Sequence, residues 1–229
     1  MGHDDARTAA RQQVLEYCHR LLAEHLVSYT AGNISQRVAG EPDVIAMTPT
    51  SLPYDTMRVE DICLVTTDGK RVEGDREPTS EMPLHTLTYV RRPELGAIVH
   101  THSPASMAMA ALGLTLPPIL IGLVAAAGGP VQTAPYARTG TVAMADCIDE
   151  ALQDSGACFL RFHGVLAIGR TLGHAFNAAS VVEASADAYL RARPIAEVPT
   201  LPPEEVAWLA ERWRAQWVGS ESPEFRGGA

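Results

Sequence analysis

Val14, Tyr17, Cys18, Leu21, Leu22 and Leu26 recur three and four residues apart, which predicts an amphipathic helix over residues 5–27. The stretch SYTAGNISQRV (28–38) that follows is rich in small and polar residues around Gly32. DVIAMT (43–48) reads as a short strand, and PTSLPYDTM (49–57), with two prolines, as a loop. DICLVTTDGKRVEG (61–74) reads as two strands joined at the favoured turn pair Asp68 and Gly69. In PTSEMPLHTLTYVRR (78–92), Thr79 or Ser80 is expected to cap a helix running to about Arg91, with Pro83 tolerated in its first turn. GAIVHTH (96–102) is a strand, and SPASMAMAAL (103–112) a helix starting at Ser103 and Pro104. PPILIGLVAAAGGPV (117–131) reads as an apolar loop.

Further on, PVQTAPYARTG (130–140) holds a short strand and TVAMADCIDEALQD (141–154) a helix. GACFLRFHG (156–164) and GVLAIG (164–169) are strands, and residues 171–193 form a long helix. PPEEVAWLAERWRAQW (202–217) is a last helix, and the tail from about residue 218 is expected to be flexible. Helices and strands alternate but hairpins intervene. That pattern predicts one domain over residues 1–229, a three-layer α/β/α sandwich with a mixed, largely antiparallel central sheet.

Composition narrows the function classes. With 46% hydrophobic residues in 229, the chain can fill a core without staples. The formal charge of −9 and the lack of a basic run argue against nucleic acid as a partner. Cys18, Cys63, Cys147 and Cys158 form no CxxC pair, which suits reduced thiols. The N-terminal MGHDDARTAARQQV is polar and carries acids, so no secretory signal is read there. No apolar run approaches the roughly 20 residues of a membrane span. A cytoplasmic protein without membrane contact is expected.

Candidate chemistry begins at AIVHTHSP (97–104). Side chains alternate along a strand, so His100 and His102 point to one side at the mouth of a buried strand. Such a pair fits a metal ion, or merely two partly exposed histidines at a strand end. His163, at the end of another predicted strand, would complete a His₃ site with an open position, the catalytic arrangement for zinc. Glu81 in PTSE is a candidate ligand or general base; the plainer reading is favourable charge in a first helical turn. TAGN (30–33), TPTS (48–51) and TS (79–80) offer hydroxyls, an amide and backbone N–H groups that suit a phosphate held without lysine. His85, four residues after Glu81, shares its helix face and could orient it, line the pocket or make a structural contact. His3, His19, His25 and His174 join none of these motifs.

Taken in order, TAGNIS, MTPTSLPY, PTSE, HTH, AAAGG, APYARTGT and HG resemble the class II aldolase and epimerase family, from the first helix to about residue 217. AAAGG and PTSLPY are most similar to its fuculose-1-phosphate aldolase branch. The resemblance implies a Zn²⁺ or other divalent ion held by His100, His102 and His163, with Glu81 as acid/base that also contacts the metal in the free enzyme. It implies that Thr30, Gly32, Asn33, Thr50, Ser51, Thr79 and Ser80 bind the phosphate of a sugar substrate, although the family has glycine where Ser51 stands. It further implies a ketose 1-phosphate cleaved to dihydroxyacetone phosphate and an aldehyde, in a cyclic homotetramer with active sites between subunits.

The epimerase branch carries aspartate at the Glu81 position, so Glu81 favours an aldolase. Decarboxylases of the same fold and non-enzymatic adducin-type modules are the rivals; the latter lack the metal ligands. Family tyrosines are missing where this chain has Gly122 and, near the C-terminus, Gln216 and Trp217, and an aromatic is replaced by Thr139. An altered, roomier aldehyde side is the expectation.

Overall fold

The first predicted helix forms α1 (His3–Ala23), in a computed structural model that describes residues 3–218. Its apolar stripe, Ala6, Ala10, Val14, Cys18 and Leu21, is buried against the sheet. The expected strand at 43–48 is β2 (Glu41–Met47), and the Asp68–Gly69 hairpin joins β3 (Cys63–Thr66) to β4 (Arg71–Glu73). After α2 (Met82–Arg91) come β5 (Ala97–Thr101) and α3 (Pro104–Leu112). Then follow β6 (Thr133–Ala134), α5 (Val142–Leu152), β7 (Ala157–Leu160), β8 (Gly164–Gly169), α6 (Leu172–Ala192) and α7 (Pro203–Val218). The expected flexible tail beyond residue 218 lies outside the described residues.

Two expectations are corrected, and a stretch without an assignment proves to be a strand. NISQRV is a strand, β1 (Asn33–Val38), paired with both β2 and β5. Its inward-facing Asn33 and Ser35 are polar, so hydrophobic alternation could not reveal it. The apolar loop contains α4 (Ile121–Ala127), ended by Gly128 and packed on α6 and α7. It is apolar on every side, the exposed face with Ile121 and Ala125 included, so no polar stripe marks a helical period. Finally, α2 is capped by Glu81, not by Thr79 or Ser80, and Glu81 makes no side-chain cap bond. Pro83 has no N–H and holds a place in the first turn, which fixes where the helix starts. Thr79 still serves the turn, its Oγ1 accepting from the Glu81 N–H at 3.3 Å.

The strands form one sheet in the order β4-β3-β2-β1-β5-β8-β7-β6, antiparallel except for β6 on β7. α1, α3 and α6 cover one face, while α2 and α5 cover the other, giving the predicted three-layer α/β fold. Successive β5 residues divide between the two cores: Ala97 and Val99 join the first, and Ile98 the second. His100 pairs with Leu166, which joins the second core, so its ring projects toward the α2 side. Glu183 of α6 accepts from the N–H groups of Ala105 and Ser106, both at 2.8 Å, and so closes the N-terminus of α3. Among the described residues, no helix is long and apolar enough to cross a membrane.

Candidate metal centre and active site

The end of β5 meets the β7–β8 turn and the start of α2. His100 is the penultimate residue of β5, and His102 follows the strand's last residue. His163 ends the three-residue turn between β7 and β8, with its N–H bonded to the Leu160 carbonyl at 2.9 Å. Gly164 comes next because a Cβ there would lie 2.3 Å from the Thr101 carbonyl oxygen and 3.1 Å from His102 Cδ2. Freed from capping α2, the Glu81 carboxylate turns onto the histidines.

The four side chains converge. Their ligand atoms all lie within 4.8 Å of one another. Glu81 Oε2 is 3.2 Å from His100 Nε2, and Oε1 is 3.1 Å from His163 Nε2. The Nε2 atoms of His100 and His102 are 2.9 Å apart, and the three imidazole centroids are 4.7–4.8 Å from each other. His100 and Glu81 are buried, while His102 and His163 are half-buried and form the open side.

The donor set suits a divalent cation. His100 Nδ1 lies 2.9 Å from the Val165 carbonyl oxygen, which can only accept, so Nδ1 carries the proton. Its Nε2 is the atom turned to the cluster, the orientation that a metal-ligating histidine adopts. Burial, with repulsion from the neighbouring imidazoles, lowers His102 to about 4 and His163 below its ordinary value, against the pull of Glu81. Neutral imidazoles are what a metal requires. Burial pushes the Glu81 carboxyl up, but His100, His163 and the Asn33 amide outweigh it and hold it well below the usual carboxylate range. Three imidazoles and a carboxylate around one point are a fit for a divalent metal ion.

The three candidate phosphate loops are brought to the same edge. Pro49 and Pro78 form a bridge, Thr50 N–H bonds to the Glu77 carbonyl at 2.9 Å, and Thr79 N–H bonds to that of Thr48 at 3.0 Å. Tyr54 donates to the Gly32 carbonyl at 2.8 Å, tying in TAGN. Thr50, Ser51 and Ser80 are exposed, Thr30 and Gly32 half-buried, and Thr79 and Asn33 buried. Asn33 departs from a pure phosphate role, because its Nδ2 donates to Glu81 Oε2 at 2.6 Å. Behind it, His85 is fully buried; its Nε2 lies 2.5 Å from Asn33 Oδ1. Sequence reasoning missed Ser35 and Tyr89, which continue this contact chain. The signal was there: Asn33 and Ser35 are two apart on a strand, and Glu81, His85 and Tyr89 four apart on a helix.

The positions singled out for the aldehyde side are scattered. Gly122 lines a cavity with Val181 and Ser185 that includes none of the four converging residues. Gln216 and Trp217 line another with Arg170 and Trp213. Thr139 is exposed. Tyr136 is exposed and packs its ring 6.0 Å from that of Phe162, the residue before His163.

Residues 12–190 match the family model described as Class II Aldolase and Adducin N-terminal domain. The chain is 34% identical to a 5-deoxy-D-ribulose 1-phosphate aldolase from Bacillus thuringiensis serovar kurstaki, covering 89% of this chain and 94% of that protein. It is 32% identical to a 5-methylthioribulose-1-phosphate/5-deoxyribulose-1-phosphate aldolase from Rhodospirillum rubrum, covering 95% and 97%. A solved L-fuculose 1-phosphate aldolase superposes with a TM-score of 0.84 at 32% identity, covering 90% of this chain and 96% of that one.

Proposed function

The chain belongs to the class II aldolase and adducin N-terminal domain family, and from that premise we propose that it is a metal-dependent aldolase cleaving a deoxyketose 1-phosphate to dihydroxyacetone phosphate and a short aldehyde. The observation that carries this is the convergence of His100, His102, His163 and Glu81 within 4.8 Å. An adducin-type module would have no use for such a cluster. The names of the relatives support a 1-phosphorylated deoxy sugar as substrate.

In this proposal His100, His102 and His163 hold Zn²⁺, with Glu81 beside it. When bound, the ion supplies Lewis-acid stabilisation of the negative charge that cleavage leaves on the dihydroxyacetone phosphate half, worth several kcal/mol. Cleavage breaks the bond between carbons 3 and 4 of the ketose. The carbon-4 hydroxyl proton would pass by way of Tyr136 and solvent to the Glu81 carboxylate as the aldehyde forms, and Glu81 would deliver it to carbon 3, where the electron pair has stayed. In synthesis the ionised Glu81 would remove that proton.

Thr30, Gly32, Asn33, Thr50, Ser51, Thr79 and Ser80 would hold the phosphate through hydroxyls and backbone N–H groups at the edge where their loops meet. Tyr136, whose ring abuts the neighbour of His163, is the candidate donor for the aldehyde oxygen. A homotetramer with sites between subunits would bring Gly122, Gln216 and Trp217 of a neighbouring subunit toward the aldehyde; their separation from the cluster within one chain supports that arrangement. The absence of a ring at Gly122 and Thr139 supports a roomier aldehyde pocket.

The test is a coupled assay for dihydroxyacetone phosphate across a panel holding 5-deoxyribulose 1-phosphate, fuculose 1-phosphate, their diastereomers and bulkier analogues. Cleavage of several panel members is expected. No release from any would overturn the reading, and strict preference for fuculose 1-phosphate would overturn the roomier pocket.

A further inference from the structure

Behind Glu81 runs a buried file of side chains that touches neither the open side of the cluster nor the exposed loop residues. Tyr89 OH lies 3.1 Å from Ser35 Oγ, and Ser35 Oγ lies 2.6 Å from His85 Nδ1. His85 Nε2 lies 2.5 Å from Asn33 Oδ1, and Asn33 Nδ2 lies 2.6 Å from Glu81 Oε2. All five residues are buried, with His85 and Ser35 wholly inaccessible.

The direction of every bond follows from the last one. An ionised carboxylate only accepts, so the Asn33 amide must present its NH₂ to Glu81 and its oxygen to His85. That oxygen only accepts, so His85 carries its proton on Nε2. Nδ1 of a neutral imidazole is then an acceptor, so Ser35 donates to it. Ser35, having donated, accepts from Tyr89. Every donor along the file points toward Glu81.

We propose that His85 is a positioning residue for the acid/base Glu81, acting through Asn33, with Ser35 and Tyr89 fixing the ring in the tautomer that holds the Asn33 amide in its donating orientation. This deepens the aldolase reading and rests on it for the role of Glu81. An unheld amide can rotate half a turn and present oxygen to carboxylate, which repels. The carboxylate must also leave its ion-paired position to deliver a proton, and the Asn33 donor fixes one end of that movement. His85 reaches the phosphate edge only through the Asn33 amide, so its loss is felt more in turnover than in substrate affinity.

The experiment compares His85→Leu, His85→Gln and His85→Asn, reading kcat, KM, metal per subunit and the thermal transition. Gln places an amide N–H near the former Nε2; Asn places one only near Nδ1. For His85→Leu a fall in kcat of roughly 10- to 100-fold is expected, with KM within about threefold and metal content as in the parent. Gln should recover most of the loss and Asn should not. Normal turnover in His85→Leu, or equal rescue by Gln and Asn, would overturn the proposal and reduce His85 to a space-filling residue. Should His85→Leu not fold, the Gln/Asn pair decides, together with Ser35→Ala, which removes the donor to Nδ1 and should lower kcat with metal retained. The tautomer is read independently of any activity from the ¹⁵N shifts of His85 in the parent protein. A proton on Nε2 supports the proposal, and one on Nδ1 overturns it whatever the substrate proves to be. A parent that releases no dihydroxyacetone phosphate would instead overturn the aldolase reading alone.

Discussion

Asn33 of β1 stands directly opposite His100 of β5 in the antiparallel ladder. That one register contact joins the loop proposed for phosphate to the cluster proposed for metal. The approach is close: Gly32 has a φ of +77°, and a Cβ there would lie 2.5 Å from the His100 carbonyl oxygen. Only glycine lets TAGN enter the sheet so near to the histidine.

With Asn33 bonded to Glu81 and proposed for the phosphate, its loss should be felt twice. Asn33→Leu removes the donor to Glu81 Oε2 and an amide from the phosphate edge. Steady-state kinetics should show KM for the phosphorylated substrate rising and kcat falling together, with metal content nearly unchanged. A change in KM alone would show that the bond to Glu81 does not matter for turnover.

Glu81→Gln keeps the shape and removes the proton-transfer function. A loss of roughly 10²–10⁴ in turnover is expected, with the three imidazoles still binding metal. Single-turnover assays beside metal analysis check this, and near-normal turnover would remove Glu81 from the proton transfer.

For the metal itself, His102→Ala should lower the content per subunit, measured after dialysis against a limiting chelator. His102 belongs to the open side and its Nε2 faces that of His100 at 2.9 Å. Equal metal content in variant and parent would take His102 out of the ligand set.

How much of this was legible in the sequence depended on what each residue faces. α1 and the long α6 announced themselves because one side of each is apolar and the other wet, and β3 and β4 through the Asp68–Gly69 turn between them. The pairing of His100 with His102 followed from strand alternation, and His163 from its place at a strand end. β1 was hidden because Asn33 and Ser35 point inward to polar partners, and α4 because it lacks a polar side. Of the file, the spacing that sets His85 on the helix face of Glu81 was legible, while Ser35 was hidden with β1. The file's contacts cross from strand to helix over about fifty residues of chain, a pairing that local spacing cannot express.

Ser51 occupies a left-handed position, with φ of +55°. The resemblance places glycine there, and the conformation gives the physical reason. A side chain in that region costs about 1–2 kcal/mol. Ser51→Gly should raise the urea midpoint, offset in part by greater freedom of the unfolded chain. A lower midpoint would show that the Ser51 hydroxyl, 3.5 Å from Thr50 Oγ1, contributes more than the strain costs.

Acid should unfold this protein from its site outward. Burial lowers His85 to about 3 from an ordinary 6.5, aided by repulsion from His100 and opposed by Glu81. Between those two values the unfolded chain binds a proton that the native ring refuses. More protons on the unfolded state mean that stability rises with pH. The contribution is therefore complete above about pH 6.5 and is lost progressively as pH falls toward 3. His102, lowered to about 4, acts with the same sign. Glu81, held below the carboxylate range, adds a further loss once pH drops through its ordinary 4.5. Each fully engaged group contributes at most about 1.4 kcal/mol per pH unit. In urea titrations of chelator-treated protein, the midpoint should fall steadily from pH 7 to pH 5, with a shallower fall in His85→Gln, which has no imidazole to protonate. A parent whose midpoint is flat over that interval would show that these rings accept protons in the folded state without cost.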